Sequence, residues 1–375
     1  MGAILTAGLV AALLAILYAV NSLAALAAAL VVVWMASRIL PGRSLGQVEL
    51  TRSGPSRLFH GESSEVEVRV SNRGPLPVPW LSVTEIVPFD LLPTSFRWAT
   101  SLRGWEERTA RFRVIGSRRG IYRLGPATLV SGDPFGLVPA QTALTATERL
   151  VVYPRIVPLE RLGIPARAPF ADLRTPVPLF EDPHRAVGVR PYAPGDSARR
   201  IHWTASAHQG SLLVRKLEFG VGRDTVVLLD LTRRGLGSSR TQLVELAITT
   251  AASILYHIIT VEGLSAGLRM PGITLAPGAD QGQLMVMLEV LAGAGAVLDD
   301  SRLSDPAGLP FGASVVLVTG VVEGRWLAPL LTMRHRGWKP MVVLVGEGDA
   351  PSIPGIRIWK VSVTGDLLSV LGGAQ

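Results

Sequence analysis

The chain has 375 residues and a formal net charge of +8, and 48% of its residues are hydrophobic; this length predicts two or three domains. It contains no cysteine, which excludes disulfides, thiol catalysis and cysteine-ligated zinc. The basic charge suits an anionic membrane surface or an acidic partner, whereas the lack of a dense Lys/Arg run and of an aromatic platform ranks nucleic acid last.

Residues 1–42 predict a membrane-spanning helical hairpin. Residues 3–37 contain no Lys, Arg, Asp or Glu, and residues 4–20 and 23–40 are each about long enough to cross the hydrocarbon core as a helix. Asn21-Ser22 between them predicts a short polar turn. A buried core hairpin is disfavoured because so long an apolar run is hard to cover, and a cleaved signal peptide because no basic segment precedes the run.

Arginines set the predicted orientation of this anchor. Four of them follow the second span, at Arg38, Arg43, Arg52 and Arg57, and neither the turn nor the N-terminus offers a competing Lys or Arg. By the positive-inside rule both ends of the hairpin lie in the cytoplasm. The expected location is the inner or plasma membrane, with the other domains on its cytoplasmic side.

Residues 43–156 predict a small β-sandwich. Polar residues alternate with valine at 64–70, as in a half-buried strand, and residues 110–114 repeat the pattern. Clusters rich in Gly, Pro and Asn separate the candidate strands, as in a sandwich with short turns. The expected role is spacing or partner binding, and the arginines, including Arg118 and Arg119, are expected to form a solvated face.

Residues 223–375 predict an α/β domain with a doubly wound parallel sheet. A buried-strand run at 225–230 precedes a helical stretch at 241–261, and strands and helices continue to alternate. Ligands of such folds bind beyond the carboxyl ends of the strands. Three polar residues are predicted at that edge: Asp230, Thr232 and Thr319.

The connecting segment, residues 157–222, carries the densest set of functional residue types. The predicted interaction motif consists of Arg190, Tyr192, Gly195, Asp196, Arg199, His202 and Trp203. Asp196 follows a Pro-Gly turn and is expected to cap the helical stretch after it. Asp196 with His202 is the acid/base pair within reach, but spacing alone does not establish catalysis. A structural Asp–Arg network is therefore the preferred interpretation.

Three motifs point to a known family. Arg190-Pro-Tyr-Ala-Pro-Gly-Asp-Ser-Ala-Arg-Arg-Ile-His-Trp, followed by Ser206-Ala207, resembles the signature of the bacterial "domain of unknown function 58" family. The segments 118–126 and 132–137 match other recurring motifs of that family, in the family's order. The resemblance covers nearly the whole chain, and it implies that the last domain is similar to a von Willebrand factor A domain.

The resemblance also implies partners. Members of the family are typically encoded beside MoxR-type AAA+ ATPases, often with a transglutaminase-like membrane protein. The implied role is a non-enzymatic, membrane-anchored scaffold or adaptor of such an ATPase in envelope assembly or stress, with no cofactor and no nucleic acid. Two alternatives stay open: a hydrolase that uses Asp196 and His202, and binding of anionic lipid or polymer through the β-sandwich.

The resemblance raises the question of a Mg²⁺ site. Von Willebrand A domains often hold the ion at an Asp-x-Ser-x-Ser loop, helped by a Thr and an Asp on later loops. Asp230 and Thr232 can serve, but Arg234 replaces the second hydroxyl and Gly320 follows Thr319 where an aspartate is expected. Mg²⁺ needs a near-octahedral set of oxygen ligands. We therefore predict a degenerate site without metal, in which Arg234 neutralises Asp230 by a salt bridge.

Overall fold

The computed structural model divides the chain into two compact units, Met1–Pro154 and Arg155–Gln375. It describes residues 6–8, 10, 12–13, 21–133, 139–162, 164, 181–193, 201–219, 224–236, 241–298, 301–310, 312–322, 324–346 and 351–361. The first unit contains an apolar helix and β-sheets, and the second contains a mixed sheet with helices. We refer to them as the β unit and the α/β unit.

Helix α1 (Asn21–Leu45) is apolar and long enough to span a membrane. Asn21 and Ser22, predicted as a turn, are instead helical, because both residue types are tolerated within a helix, and they are the first residues of α1 that the structure describes. The helix also continues five residues past its predicted end at residue 40. Pro41-Gly42 would ordinarily end a helix, but Pro41 and Leu45 are buried in the β unit. Tertiary packing therefore overrides the local stop signal.

A second helical stretch precedes α1. Residues 6–8, 10, 12 and 13 are helical. Gly8 lies against α1, because a Cβ atom added to it would be 3.6 Å from Leu30 Cβ. Small residues permit such close approach of two helices. The remainder of the predicted first span lies outside the described residues.

The described part of the β unit has ten strands in three sheets, ordered β1-β3-β6, β2-β10-β7 and β5-β4-β8-β9. Neighbouring strands are antiparallel, apart from the parallel pair β2 and β10. Their bounds are β1 (Val48–Ser53), β2 (Arg57–Leu58), β3 (Ser63–Asn72), β4 (Val78–Glu85), β5 (Phe96–Leu102), β6 (Glu107–Ile115), β7 (Gly120–Leu124), β8 (Ala127–Gly132), β9 (Pro139–Leu144) and β10 (Glu148–Val152).

The two alternating segments predicted as strands are confirmed. Val66, Val68 and Val70 of β3 are fully buried, as is Val114 of β6. Apolar side chains of the β unit form two clusters, one around Val66 and Val114 and one around Val70 and Leu45. The second cluster includes the last residue of α1, so this helix is part of the core of the β unit.

The opposite face of β3 and β6 is a ladder of ion pairs. Glu67 Oε1 accepts from Arg69 Nη2 and Glu67 Oε2 lies 3.0 Å from Arg111 Nη2. Arg69 also pairs with Glu107, at 3.0 Å. The hydrogen bonds from Arg69 and Arg111 hold the pKa of the Glu67 carboxyl below its usual value. Because these arginines face glutamates, this face is electrically balanced.

The α/β unit has a six-stranded sheet in the order β15-β14-β13-β16-β17-β18. The five strands β13, β14, β16, β17 and β18 are parallel, and β15 is an antiparallel edge strand that was not predicted. The bounds are β13 (Asp224–Leu229), β14 (Ser265–Met270), β15 (Ile273–Gly278), β16 (Ser314–Thr319), β17 (Lys339–Val345) and β18 (Arg357–Val361).

The connecting segment belongs to the α/β unit and has structure of its own. It contains β11 (Glu181–Pro191), α2 (Trp203–Gln209) and β12 (Leu213–Phe219), with β11 and β12 antiparallel. The remaining helices are α3 (Arg233–Leu236), α4 (Thr241–Tyr256), α5 (Gln281–Gly293) and α6 (Leu327–His335), with a π-helical extension of α4 at His257–Val261 and 3-10 turns at Leu159–Leu162 and Ser301–Ser304.

Helices cover both faces of the sheet. Trp326, Leu330 and Met333, in and just before α6, pack in one cluster with alternate residues of β13, β16 and β17. Helix α4 packs against the same three strands. The stretch Thr241–Val261 is long and apolar enough to cross a membrane, but it is mostly buried in this unit and serves as its core helix.

Candidate functional site

The central candidate site is the carboxyl edge of β13 and β16. Strand β13 is followed along the chain by β14 on one side of it, while β16 lies on its other side. Such a reversal of strand order marks the usual ligand crevice of open α/β sheets. The structure brings Asp230, Thr232 and Thr319 to this edge, and each is 0% exposed. A hydrogen bond of 2.9 Å from Asp230 N to Val318 O joins the two strand ends.

The Asp230 carboxylate is held from both sides. Oδ1 accepts hydrogen bonds from Thr232 N at 3.0 Å and from Thr232 Oγ1 at 2.7 Å. Oδ2 accepts a hydrogen bond of 2.6 Å from the indole Nε1 of Trp326. Arg325 Nη1 in turn donates to Thr232 Oγ1 at 3.2 Å. A buried carboxylate needs such donors to offset its lost hydration.

Sequence reasoning missed Arg325 and Trp326. They lie 93 and 96 residues from the groups they contact, so no local spacing links them to Asp230. The side chain of Arg234, which was predicted to pair with Asp230, lies outside the described residues. In the part of the chain that is described, Arg325 is the cation beside the Asp230–Thr232 pair, with its guanidinium carbon 5.8 Å from the Trp326 ring centroid.

The set of ligand groups among the described residues does not fit a divalent cation. Mg²⁺ needs several oxygen ligands in near-octahedral geometry, whereas both oxygens of Asp230 already accept hydrogen bonds. The Thr319 hydroxyl donates to Val321 O at 3.0 Å. The guanidinium of Arg325 would also repel the ion.

Exposed apolar side chains adjoin the residues of this closed cluster along the chain. Leu298 is 73% exposed, and its neighbour Val297 pairs with Thr232. Val321 lies two residues after the end of β16 and Leu327 begins α6, and both are also exposed. We call Val297, Leu298, Val321 and Leu327 the apolar rim. Exposed apolar groups clustered at one edge are typical of protein-binding surfaces.

The second candidate site is the end of the β11–β12 pair. Tyr192 N donates to Leu212 O at 2.9 Å, and His202 N donates to Leu213 O at 2.8 Å. The structure therefore brings Arg190, Tyr192, His202 and Trp203 of the predicted motif to one end of a strand pair. Gly195, Asp196 and Arg199 lie outside the described residues.

His202 has a structural role in this segment. Its Nδ1 accepts a hydrogen bond of 3.1 Å from Ala205 N, so His202 is the N-cap of α2, a role predicted for Asp196. Ser206 completes the arrangement, because its Oγ donates to His202 O and accepts from Leu213 N, each at 2.9 Å. This network fixes α2 against β12.

Aromatic and aliphatic side chains at this end face solvent. Trp203 is 67% exposed, Leu212 48% and Tyr192 39%. Arg190 is exposed beside them, and its Nη1 donates to Pro191 O at 3.2 Å. Exposed Trp, Tyr and Arg are the residue types that dominate binding energy at protein interfaces.

Comparison with known families supports the resemblance seen in the sequence. A family model described as "Protein of unknown function DUF58" matches residues 188–297. The matched region includes the segment from Arg190 to Trp203 and the Asp230–Thr232 pair. No curated protein matches the chain at a significant level.

Solved structures similar to this chain are similar only in part. The CARDB domain of a Pyrococcus furiosus protein, in complex with di-metal ions, is 23% identical over 28% of this chain and 91% of that one, with a TM-score of 0.22. A beta-glucosidase from Listeria innocua is 17% identical over 28% of this chain and 16% of the enzyme, with a TM-score of 0.19. The complex of zinc 2-glycoprotein with prolactin inducible protein from human seminal plasma is 11% identical over 28% of this chain and 92% of that one, with a TM-score of 0.22.

Proposed function

We propose that this protein is a non-enzymatic, membrane-anchored adaptor that presents the carboxyl edge of its α/β unit to a protein partner. The partner implied by the family resemblance is a MoxR-type AAA+ ATPase at the cytoplasmic face of the inner or plasma membrane. A transglutaminase-like membrane protein is a second candidate partner. The helical hairpin, embedded in lipid, would confine these encounters to the membrane surface and raise the effective concentration.

One observation carries the proposal: the crevice that usually binds a ligand is closed by Asp230, Thr232 and Trp326, and the exposed residues of the apolar rim adjoin it along the chain. In the described part of the chain, the carboxylate oxygens at this centre are already engaged by hydrogen-bond donors of the protein itself. The exposed rim offers the apolar contact area that a protein partner buries.

The arrangement of the strands supports a von Willebrand factor A-like fold for the α/β unit and a β-sandwich for the β unit. In the α/β unit the strands run 3-2-1-4-5-6 in chain order with the third strand antiparallel, which agrees with a von Willebrand factor A-like domain. In the β unit, short strands in several sheets packed around two apolar clusters agree with a β-sandwich.

The alternative functions have less support. A hydrolase would need His202 as a base, but its Nδ1 caps α2. Binding of anionic lipid through the β unit would need arginines whose charge is not neutralised by neighbouring carboxylates. The arginines of β3 and β6 instead pair with glutamates. The arrangement around His202 therefore does not favour hydrolysis, and the paired arginines of β3 and β6 do not favour lipid binding.

A binding experiment tests the proposal. The full chain in nanodiscs would be immobilised and titrated with a purified MoxR-type ATPase from the same organism. We expect Leu298→Asp to weaken binding at least tenfold, because a carboxylate would enter the apolar rim. Val286→Asp is the matched control, since Val286 is 48% exposed on α5, away from the rim. Equal binding by both variants would refute the proposed surface, and no binding by the wild-type chain would refute the partner.

A further inference from the structure

We propose that Ser37 of α1 and Asp133 at the end of β8 clamp the β unit directly onto the membrane surface, so that the unit stands at a fixed height against the phospholipid headgroups. This inference rests on the proposed membrane anchoring and adds to it. It also gives a structural role to Asp133, which lies in the segment 132–137 that resembles a recurring motif of the family and that the adaptor function does not use.

The clamp is a buried polar contact between the helix and the β unit. Ser37 Oγ donates to Asp133 Oδ2 at 3.3 Å, and the two residues are 5% and 1% exposed. The backbone oxygen of Asp133 accepts from Trp80 Nε1 at 3.4 Å, and Trp80 O accepts from Ser131 Oγ at 2.6 Å. The Asp133 end of β8 is thereby tied to β4.

The contact continues along one face of α1. Ser37, Pro41, Ser44 and Leu45 are buried, at positions i, i+4, i+7 and i+8, which is the spacing of one helix face. Val32 and Met35 are 65% and 50% exposed, as expected for a segment that lies in lipid. One unbroken helix therefore passes from the apolar segment into the core of the β unit without a flexible linker.

The aromatic and basic residues of α1 set the level of the membrane surface. The Arg38 guanidinium lies 5.8 Å from the Trp34 ring centroid, and Trp and Arg are typical residues of the lipid–water interface. Ser37, the residue before Arg38, already contacts Asp133, so the β unit is held against the headgroups.

Spin labels at single introduced cysteines test the predicted position of the membrane surface along α1. The sequence has no native cysteine, so such labelling is specific. Labels would be placed at Val32, Met35, Ile39 and Gly42 of the full chain in phosphatidylcholine/phosphatidylglycerol nanodiscs. We expect oxygen to reach the first two labels and a water-soluble nickel complex to reach the last two. If oxygen rather than the nickel complex still reached the label at Gly42, the proposed contact of the β unit with the headgroups would be refuted. If the nickel complex reached all four labels, the membrane anchoring itself would be refuted.

The rigidity of the clamp is tested by a distance between two labels. With labels at Met35 of α1, on the membrane side of Ser37, and at Thr109 on β6, we expect a single narrow distance distribution in the otherwise unchanged chain. Asp133→Ala and Ser37→Ala should each broaden it, the latter without risk to the fold because Ala suits a helix. Glu49→Ala, which removes a carboxylate that is 61% exposed, is the control. A broad distribution in the unmutated pair, or no effect of either clamp variant, would overturn the inference.

Discussion

Trp326 Nε1 donates a 2.6 Å hydrogen bond to Oδ2 of Asp230, 96 residues earlier in the chain. This bond ties the start of α6 to the carboxyl end of β13, and both residues are fully buried. A buried carboxylate is costly unless donors surround it. The indole N–H of Trp326 therefore stabilises the negative charge of the Asp230 carboxylate.

Replacing Trp326 by Phe should destabilise the α/β unit beyond the effect of the lost ring volume. The substitution removes a donor to a charged acceptor, and such hydrogen bonds contribute about 1.5–3 kcal/mol. Trp338→Phe is the matched control, because Trp338 Nε1 donates to the neutral oxygen of Pro310 at 2.8 Å and should cost about 0.5–1.5 kcal/mol. Urea unfolding of both variants measures the difference, and equal costs would contradict the role of the charge.

Mg²⁺ and Mn²⁺ should not bind at the carboxyl edge of the sheet. Thr232 and Trp326 occupy the oxygens of Asp230, and Arg325 adds a positive charge beside them. Isothermal titration of the full chain with either ion should therefore show no heat of specific binding. Micromolar binding that Asp230→Ala abolishes would show that this conclusion is wrong.

Much of the α/β unit could be predicted from sequence because its strands are continuous apolar runs between helical patterns. Strand β15 was missed because Pro277 and Gly278 end a short segment with exposed residues. The extension of α1 through Pro41 and the contact between Trp326 and Asp230 depend on tertiary packing. Neither has a local pattern that sequence reasoning can use.

Arg52 and Glu85 should show strong coupling in a double-mutant cycle. Arg52 was counted among the four arginines that set the predicted orientation of the anchor, but its side chain is 3% exposed and its Nε lies 2.7 Å from Glu85 Oε1. Removing one partner leaves a buried charge, so Arg52→Met and Glu85→Leu should each cost about 3–5 kcal/mol. The double variant should recover most of this loss, and additive losses in urea unfolding would contradict the coupling.

The same pair predicts a dependence on pH. Burial raises the pKa of the Glu85 carboxyl, against the hydrogen bonds from Arg52. In Arg52→Met that opposition is gone, so the folded state binds the proton more readily than the unfolded state. The free energy of unfolding of this variant should therefore rise as the pH falls from neutral, relative to wild type. A parallel pH profile for the two proteins would contradict the assignment.

Ser206→Ala should loosen α2 from β12. Ala fits the buried site, but Leu213 N loses the acceptor that lies 2.9 Å from it, and a buried amide without a partner costs about 1–3 kcal/mol. Hydrogen exchange at the Leu213 amide should accelerate accordingly. Thr204→Ala, an exposed change on the same helix, should leave that exchange rate unchanged. Unaltered protection in Ser206→Ala would show that the network does not fix the helix.

His202 distinguishes the structural role of the motif from the catalytic one. His202→Ala removes the side chain that accepts from Ala205 N, and loss of an N-cap costs about 0.5–2 kcal/mol. His202→Asn supplies a strong capping residue without an imidazole. We therefore expect amide protection in α2 and binding of the ATPase to fall in the Ala variant and to recover in the Asn variant. If the Asn variant restored protection but not function, the imidazole itself would be needed, which is the outcome that a hydrolase predicts.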